Sequence, residues 1–290
     1  MVEQLCDPTV LASSSKYRWF SRQVARALWA NKETTFFSTD LRHELDFLTQ
    51  SFEDDQPIQW SSPIALLIKR EPSYTAWGDA CLEGAGGFSL DQQFWWALEW
   101  PDAIRRRTLN QLGKKDKSLI SINLLEYATI IVGLAATIVA WEESPEPKQV
   151  HPLMLIFTDN TTAKSWTRKI AGLKTVQARA LARLLCHLLM QTRDLGLSTE
   201  YVDGKKNDTA DYLSRLRKQI GPNQPLNLST ITQKYPKLKE CRRFLPSQEL
   251  LSLLYSSLSN GWAPIPTTRV PLGRLVPEQT TTYDFAKSTR

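Results

Sequence analysis

Four acidic residues are the first candidates for chemistry, because each lies at the boundary of a strand-forming or apolar segment. In chain order they are Asp79, Glu126, Asp159 and Asp211. Carboxylate oxygens are the ligands that hard divalent cations prefer in proteins. Acids that a fold brings together repel one another, and a cation offsets that repulsion. Whether these four act as a set depends on the elements that carry them.

Taken one at a time, each acid has an ordinary structural explanation. Asp79 at a strand end can bond a turn amide, and Asp159 before a helix is a preferred N-cap. Glu126 follows Asn123 by three residues, as in a capping box. Asp211 near a helix start favours the helix dipole. For a single acid these explanations are the better ones, so a catalytic interpretation depends on the ordered set.

The first acid lies in a predicted antiparallel meander. Strand-forming residues and a cluster of glycines predict three short strands, at about 74–80, 84–90 and 93–98. Asp79 falls near the end of the first strand, although strand interiors disfavour aspartate. An acid inside a strand pattern needs an explanation, and a functional role is one.

The second acid lies at the start of the most apolar segment, residues 122–141. The uninterrupted apolar part, residues 127–141, is shorter than the roughly 20 residues that span a bilayer. We therefore predict a helix packed against a sheet, with a membrane span as the alternative. Glu126 lies in the first turn of this predicted helix, where it can face Asp79.

The third and fourth acids lie where strands alternate with helices. The predicted elements are a strand at 152–158, helices at 160–170 and 173–195, and a strand at 198–202. Asp159 follows the first of these strands, and Gly204 marks a turn before a helix that Asp211 opens. This alternation indicates an α/β fold, in which sites collect at the carboxyl ends of strands.

The flanking segments have weaker patterns. Residues 1–70 predict a helical lead-in, with helices at 15–31 and 39–52. Residues 102–118 predict a loop or a frayed helix. Residues 218–290 predict a linker, a short helix at 248–258 and a disordered tail, rich in proline and threonine, from 264.

The composition is that of a folded protein with a basic surface. Hydrophobic residues make up 42% of the 290 residues, enough for a packed core. The net charge of +6 fits a polyanionic partner. The four cysteines are far apart and form no CxxC motif, so neither a zinc site nor a disulfide framework is predicted. Because the amino terminus also lacks a secretory signal pattern, we expect an intracellular location, cytoplasmic or nuclear.

Short motifs around the four acids resemble those of the ribonuclease H family, in particular the ribonuclease H domains of reverse-transcribing retroelements. They are GDA at 78–80, INLLE at 122–126, TDN at 158–160 and the G-x-x-N-x-x-A-D-x-L-S-R run at 204–215. The resemblance extends over about 73–217, and the order of the motifs is its most specific feature. The motifs are most similar to those of DIRS-like or long-terminal-repeat elements, and residues 1–70 resemble the thumb and connection end of a reverse transcriptase.

The resemblance implies a ribonuclease H-like α/β fold with a five-stranded mixed sheet and helices on both faces. It also implies that the four acids hold two Mg²⁺ ions, which Mn²⁺ can replace. Asp79 would bridge the ions, with Glu126 and Asp159 on one side. Asp211 would hold the other side, and Asp208 is the alternative fourth ligand. Two such ions about 3.5–4 Å apart support in-line hydrolysis of a phosphodiester.

The implied activity is endonuclease cleavage of the RNA strand of an RNA·DNA hybrid during retroelement reverse transcription. Such a hybrid is recognised by shape, through its phosphates and 2′-hydroxyls. A reverse transcriptase polymerase domain, in the same or another chain, is an expected partner. The candidate nucleic-acid contacts are Asn160, Lys164, Trp166, Arg168, Lys169, Lys205, Lys206 and Arg215.

The chain also departs from the family pattern at one place. Many members carry a histidine in the loop before the fourth acid, whereas this chain has Tyr201, Val202 and Asp203 there. Proofreading exonucleases, with a D-x-E pair, and integrases, with a late glutamate, fit the order of the acids less well. The alternative function is a catalytically silent, retroelement-derived module that binds nucleic acid or protein without cutting.

Overall fold

The computed structural model describes residues 71–109, 120–145, 151–168, 173–192, 195–220, 228–263 and 269–277. The predicted lead-in at 1–70, with its helices at 15–31 and 39–52, lies outside these residues, as does Lys169.

The described residues fold around one mixed sheet. Its strands are β1 (Tyr74–Ala80), β2 (Gly84–Ser89), β3 (Phe94–Glu99), β4 (Leu153–Thr158), β5 (Gly196–Tyr201), β6 (Arg242–Pro246) and β7 (Gly273–Val276). Their order across the sheet is β5-β4-β1-β2-β3-β6-β7. Strands β1 to β3 form an antiparallel meander, and β4 and β5 run parallel to β1. The α/β class is therefore confirmed, and the carboxyl ends of β1, β4 and β5 lie at one edge of the sheet.

The helices lie on both sides of this sheet. They are α1 (Asp102–Leu109), α2 (Ile122–Glu143), α3 (Thr161–Arg168), α4 (Val176–Gln191), α5 (Asp208–Ser214), α6 (Leu216–Ile220), α7 (Leu228–Lys234) and α8 (Gln248–Asn260). Short 3-10 turns at Gly204–Lys206 and Pro236–Leu238 precede α5 and follow α7.

Helix α2 is the centre of the larger hydrophobic core. Every residue from Leu124 to Ala140 is buried, and the helix contacts β1, β2, β4 and α4. By length and composition alone α2 could cross a membrane, but 89% of its most apolar window is buried inside the protein. A helix that is covered on all sides needs apolar residues all round. Burial against the sheet therefore accounts for the apolar segment.

The other face of the sheet carries α5 above a second, smaller cluster of buried side chains. Gly86 on β2 lies directly beneath this helix, and a Cβ there would lie 2.5 Å from the backbone carbon of Leu213. Gly86 is also the register partner of Asp79 on β1. Because Gly86 has no side chain, α5 can lie close to the sheet next to Asp79.

The sheet has seven strands, so the implied five-stranded sheet was wrong in number. Five strands lie within 74–201, and β6 and β7 extend the sheet from β3. The disordered tail expected from 264 was likewise wrong at residues 269–277, which include β7. Both added strands are short and contain arginine, so they lack the long apolar alternation that predicts a strand. They are strands because β6 pairs with the edge of β3 and β7 pairs with β6.

Other predicted boundaries need smaller corrections. Residues 102–109 form helix α1, whereas the sequence predicted a loop or a frayed helix over 102–118. Of the helices predicted at 160–170 and 173–195, the first begins at Thr161 and is described as far as Arg168, and the second extends over Val176–Gln191. Helix α8 lies where a helix was predicted at 248–258, and it packs on α4 and α1.

Candidate metal centre at the carboxyl edge of the sheet

Asp79 lies near the carboxyl end of β1 and is only 4% exposed. Its Oδ2 accepts a hydrogen bond from the hydroxyl of Ser214, 2.6 Å away at the end of α5. The pKa of Asp79 is raised from 3.8 to about 6, mainly by burial and also by the negative charges of Asp159 and Asp211; the Ser214 bond and the charge of Arg215 oppose this rise. Ser214 therefore fixes the orientation of the Asp79 carboxylate, while burial and the neighbouring acids disfavour its charge.

Glu126 is the fifth residue of α2 and is also 4% exposed. Ser121 is the N-cap residue of α2, so the predicted capping box of Asn123 and Glu126 was wrong. The Glu126 carboxylate instead accepts from the backbone N–H of Ala80 at 3.3 Å and from the Thr158 hydroxyl at 3.5 Å. Burial raises its pKa well above the usual value, and the neighbouring aspartates add to the rise. These contacts aim the carboxylate at the ends of β1 and β4.

Asp159 follows β4 but does not cap the next helix, so that structural explanation was wrong too. The cap of α3 is Asn160, whose Oδ1 accepts from the backbone N–H of Ala163 at 2.9 Å. The chain passes close to Asp159 at Gly204, where a Cβ would lie 3.0 Å from Oδ2. Burial, followed by the charge of Asp211, raises the pKa of Asp159.

These three acids form one cluster. Oxygen atoms of Asp79, Glu126 and Asp159, one from each, all lie within 4.8 Å of one another. They come from β1, α2 and β4, which the parallel pairing of β1 with β4 and the packing of α2 bring to one edge. Carboxylate oxygens at this spacing suit a hard divalent cation such as Mg²⁺ or Mn²⁺. The cluster could therefore hold such an ion.

The fourth acid, Asp211, is not part of this cluster of three, and its carboxylate forms an ion pair with Arg215. It is the fourth residue of α5, which Asp208 opens, so the prediction that Asp211 opens the helix was wrong. Arg215 donates from Nε to Oδ1 of Asp211 at 2.8 Å. The charge of Asp211 raises the pKa of both Asp79 and Asp159. Asp208 is exposed and accepts from Thr209, which favours Asp211 over Asp208 as the fourth acid of the site.

Two residues of the site were missed in the sequence. Asn207 is 1% exposed, and its Nδ2 donates to the carbonyl of Gly78 at 3.1 Å, directly before Asp79. The pairing of β1 with β4 ends at Trp77 opposite Phe157. Asn207 therefore provides a hydrogen-bond donor for the Gly78 carbonyl where the two strands separate. Ser214 is the second such residue. Both belong to the run at 204–215, and their fixed spacing from Asp211 was the available signal.

Three of the predicted nucleic-acid contacts are engaged in contacts within the fold. Lys164 and Arg168 both pair with Glu200, at 2.5 Å and 2.8 Å, so their charges are engaged within the fold. Trp166 is partly buried and packs edge-on against Tyr127 at the margin of the core.

The remaining candidates lie nearer to the acids. Asn160 donates from Nδ2 to Asn123 at 2.8 Å, in addition to capping α3. Lys205 and Lys206 are exposed on the 3-10 turn that begins at Gly204, beside Asp159. Arg215 is paired with Asp211. Among the described candidates, the basic residues beside the acids therefore belong to the run at 204–215.

No protein-family model, curated protein or solved structure matches this chain.

Proposed function

We propose that this chain is a metal-dependent endonuclease of the ribonuclease H type, which hydrolyses the RNA strand of RNA·DNA hybrids in retroelement reverse transcription. The observation that carries the proposal is the convergence of Asp79, Glu126 and Asp159 from three separate elements at the carboxyl edge of the sheet. Acids with raised pKa values that lie beside other acids are typical of functional sites. The motif order around them supplies the reaction class.

The proposed metal is Mg²⁺, with Mn²⁺ as a substitute. When bound, the metal would supply activation of water and stabilisation of the attacking and leaving oxygens. Asp79, Glu126 and Asp159 would hold it, since their oxygens already lie together. Asp211 would complete the set from α5.

The chain's own residues fix the orientation of these acids. Ser214 holds one oxygen of Asp79, and the Ala80 N–H and the Thr158 hydroxyl hold the two oxygens of Glu126. Asn207 ties the start of α5 to β1 directly before Asp79. Acids that are held in place in advance need not be reorganised during the reaction.

A nucleic acid as substrate is supported by the charge around the acids. The cluster is negative, yet Lys205, Lys206 and Arg215 lie at its margin and the whole chain carries a net charge of +6. Basic groups beside a metal-binding acidic site suit a phosphate backbone. The choice of an RNA·DNA hybrid rests on the resemblance described above.

The test is cleavage of a labelled RNA·DNA hybrid with Mg²⁺, beside the same RNA as a single strand and as an RNA duplex. We expect cutting of the RNA strand in the hybrid alone, and its loss with a chelator. Asp79→Asn should remove cleavage while hybrid binding is kept, since the amide preserves the shape but weakens metal binding. Asp211→Asn should lower cleavage, whereas Asp208→Asn, three residues away on the same helix, should keep it.

Binding without cleavage by folded protein, with either Mg²⁺ or Mn²⁺, would contradict the nuclease and favour the silent binding module. Equal cleavage of single-stranded RNA would keep the metal centre but overturn the hybrid as the substrate. If Asp79→Asn unfolds the protein, Asp79 has a structural role instead.

A further inference from the structure

Two lysines of the segment after α6 lie over aromatic rings. The Nζ atom of Lys234, at the end of α7, lies 4.1 Å from the ring centre of Tyr212 and 5.5 Å from that of Tyr235. The Nζ atom of Lys237, on the 3-10 turn that follows, lies 4.8 Å from the ring centre of Phe88. An ammonium group at such distances is attracted to the face of the ring. Both charged groups are therefore held near defined positions on the surface.

The rings beneath these lysines belong to the smaller cluster of buried side chains. Tyr212 and Phe88 are buried in this cluster, and Tyr235 packs against it. Ile231 and Leu238, from the same segment as the lysines, are buried in it as well. The segment is thus attached to α5 and β2 through its apolar side chains, and the fold sets where its lysines lie.

Neither lysine is neutralised by an acid. Lys234 and Lys237 are exposed, and in the part of the chain that the structure describes neither forms an ion pair. Lys164, in contrast, is paired with Glu200. An ammonium group that a ring already orders loses less conformational freedom when it binds an anion. The two lysines therefore present ordered positive charge to a partner.

This surface is continuous with the proposed metal centre through α5. Tyr212, beneath one of the lysines, directly follows Asp211 in the sequence. The hydroxyl of Tyr235 donates to the carbonyl of Asp208, the first residue of α5, at 3.3 Å. The 3-10 turn Gly204–Lys206, with its two exposed lysines, lies just before the same helix. A polyanion that reaches the acids beside α5 would therefore meet basic groups on both flanking segments.

We propose that Lys234 and Lys237 form an anchoring surface for the phosphate backbone of the nucleic acid, outside the site where it is cut. This inference rests on the proposed nuclease function and extends its substrate contacts beyond the run at 204–215. Lysine binds a phosphate as a point charge and reads no base, so the surface raises affinity without adding sequence specificity. It takes no part in the hydrolysis.

The experiment measures binding of a fluorescently labelled RNA·DNA hybrid by anisotropy, in a chelator that prevents cleavage, over a series of salt concentrations. Lys234→Gln combined with Lys237→Gln should weaken binding by roughly tenfold and lower the slope of log Kd against log salt by about two, because each lost phosphate contact lowers it by about one. Lys234→Arg combined with Lys237→Arg should keep both values, since arginine retains the charge and the contact with the ring.

The cleavage assay gives a second readout. With Mg²⁺, the glutamine double variant should show a raised KM for the hybrid and an unchanged kcat, because the lost contacts lie outside the metal centre. A fall in kcat with an unchanged KM would contradict the proposal, since it would place the lysines in the chemical step.

The matched control is Arg106→Gln combined with Lys174→Gln, which removes two exposed positive charges, one on α1 and one just before α4. It should bind the hybrid like the wild type. An equal loss in this control would mean that only the net charge of the protein matters, and it would overturn the inference. An unchanged affinity and salt slope in the lysine double variant would also overturn it and would favour an acidic protein as the partner of this surface.

The proposed function fails separately from this inference. A wild type that binds the hybrid through Lys234 and Lys237, but cuts it with neither Mg²⁺ nor Mn²⁺, would keep the anchoring surface and overturn the nuclease. A wild type that cuts the hybrid with a KM that both lysine substitutions leave unchanged would keep the nuclease and overturn the surface.

Discussion

Helix α2 carries glutamates near both of its ends, and the two ends differ in what surrounds them. Near the amino end, Glu126 is 4% exposed and lies among the carboxylates of Asp79 and Asp159. At the carboxyl end, Glu142 and Glu143 are partly exposed, and each is paired with an arginine. These arginines, Arg269 and Arg242, come from the segments that carry β7 and β6.

The difference supports the proposal that the amino end of α2 serves chemistry, and it indicates that the carboxyl end serves stability. Acids near a helix carboxyl end are disfavoured by the helix dipole, and the arginines offset this while they attach the C-terminal strands. At the other end Glu126 and Asp79 are buried beside the half-buried Asp159, and within the described ranges no basic side chain forms an ion pair with these three acids. Such a concentration of negative charge is typical of a site that binds a cation. Under the proposed function, the C-terminal strands stabilise the fold and the amino end of α2 positions a metal ligand.

The comparison is tested most strongly by the same substitution at both ends. Glu126→Gln should cut hybrid cleavage by about 10³-fold, since a charged metal ligand contributes several kcal/mol to the transition state. The amide can still accept from the Ala80 N–H, so the fold should be kept. Rates at saturating Mg²⁺, with circular dichroism as a check of folding, measure this effect.

The matched control for Glu126→Gln is Glu142→Gln, on the same helix. It should cleave the hybrid at the wild-type rate. Equal losses of hybrid cleavage in both variants would mean that the substitutions act by destabilising α2 and not by removing a metal ligand.

The second prediction concerns the stability cost of placing several acids together near the amino end of α2. Without divalent cations, the free energy of unfolding should fall as the pH rises from about 4 to above 6. Between 3.8 and about 6 the folded state keeps the Asp79 proton that the unfolded state has lost, so raising the pH favours unfolding. For Asp79 alone this shift corresponds to roughly 3 kcal/mol.

Urea denaturation in a chelator, over a series of pH values, measures this dependence. Asp79→Asn should be more stable than the wild type at pH 7 and nearly equal to it at pH 4. Mg²⁺ should stabilise the wild type increasingly as the pH rises, because it binds the ionised acids. If the stability of the wild type instead rises over this pH range in the chelator, the negative charges of the acids are already offset by other groups of the folded protein.

Much of the structure around the amino end of α2 could be predicted from the sequence, because the patterns that specify it are local. Strands β1 to β3, helix α2 and the strand before Asp159 follow from residue periodicity, with ends that differ by a few residues. The helical spacing of Asp211 and Arg215 is also local, and it predicts their ion pair, although Arg215 was assigned only to nucleic acid.

What could not be predicted depends on contacts between distant segments. Strands β6 and β7 have no pattern of their own and form because β3 offers an edge and α2 offers two glutamates. The role of Asn207 depends on β1 and β4 separating after Trp77, which no local pattern specifies. For the same reason the capping explanations of Glu126 and Asp159 were wrong: other residues, Ser121 and Asn160, lie at those caps.

The third prediction concerns the seating of α5 beside Asp79. Gly86→Ala would place a Cβ 2.5 Å from the Leu213 backbone, so α5 must move away from the sheet and take Ser214 with it. Overpacking of this kind costs about 1–3 kcal/mol. Thermal melting should show the loss of stability, and Mn²⁺ affinity should fall in the same variant.

The matched control for Gly86→Ala is Gly133→Ala inside α2, where the new Cβ would make an ordinary contact of 3.6 Å with Ile156. It should be neutral or stabilising by up to about 1 kcal/mol. Loss of stability in Gly86→Ala with unchanged Mn²⁺ affinity would show that α5 does not help to position Asp79.

The smallest effect is expected at the arginine-paired end. Arg242 and Glu143 are 40% and 38% exposed at their side chains and lie 2.9 Å apart, so a double-mutant cycle with Arg242→Ala and Glu143→Gln should give a coupling below about 1 kcal/mol. None of these variants should change hybrid cleavage or Mn²⁺ binding, because the pair lies at the opposite end of α2 from Glu126. A large coupling, or a loss of Mn²⁺ affinity in Arg242→Ala, would contradict this separation of roles. It would mean that the C-terminal strands hold α2 in the position that Glu126 needs for metal binding.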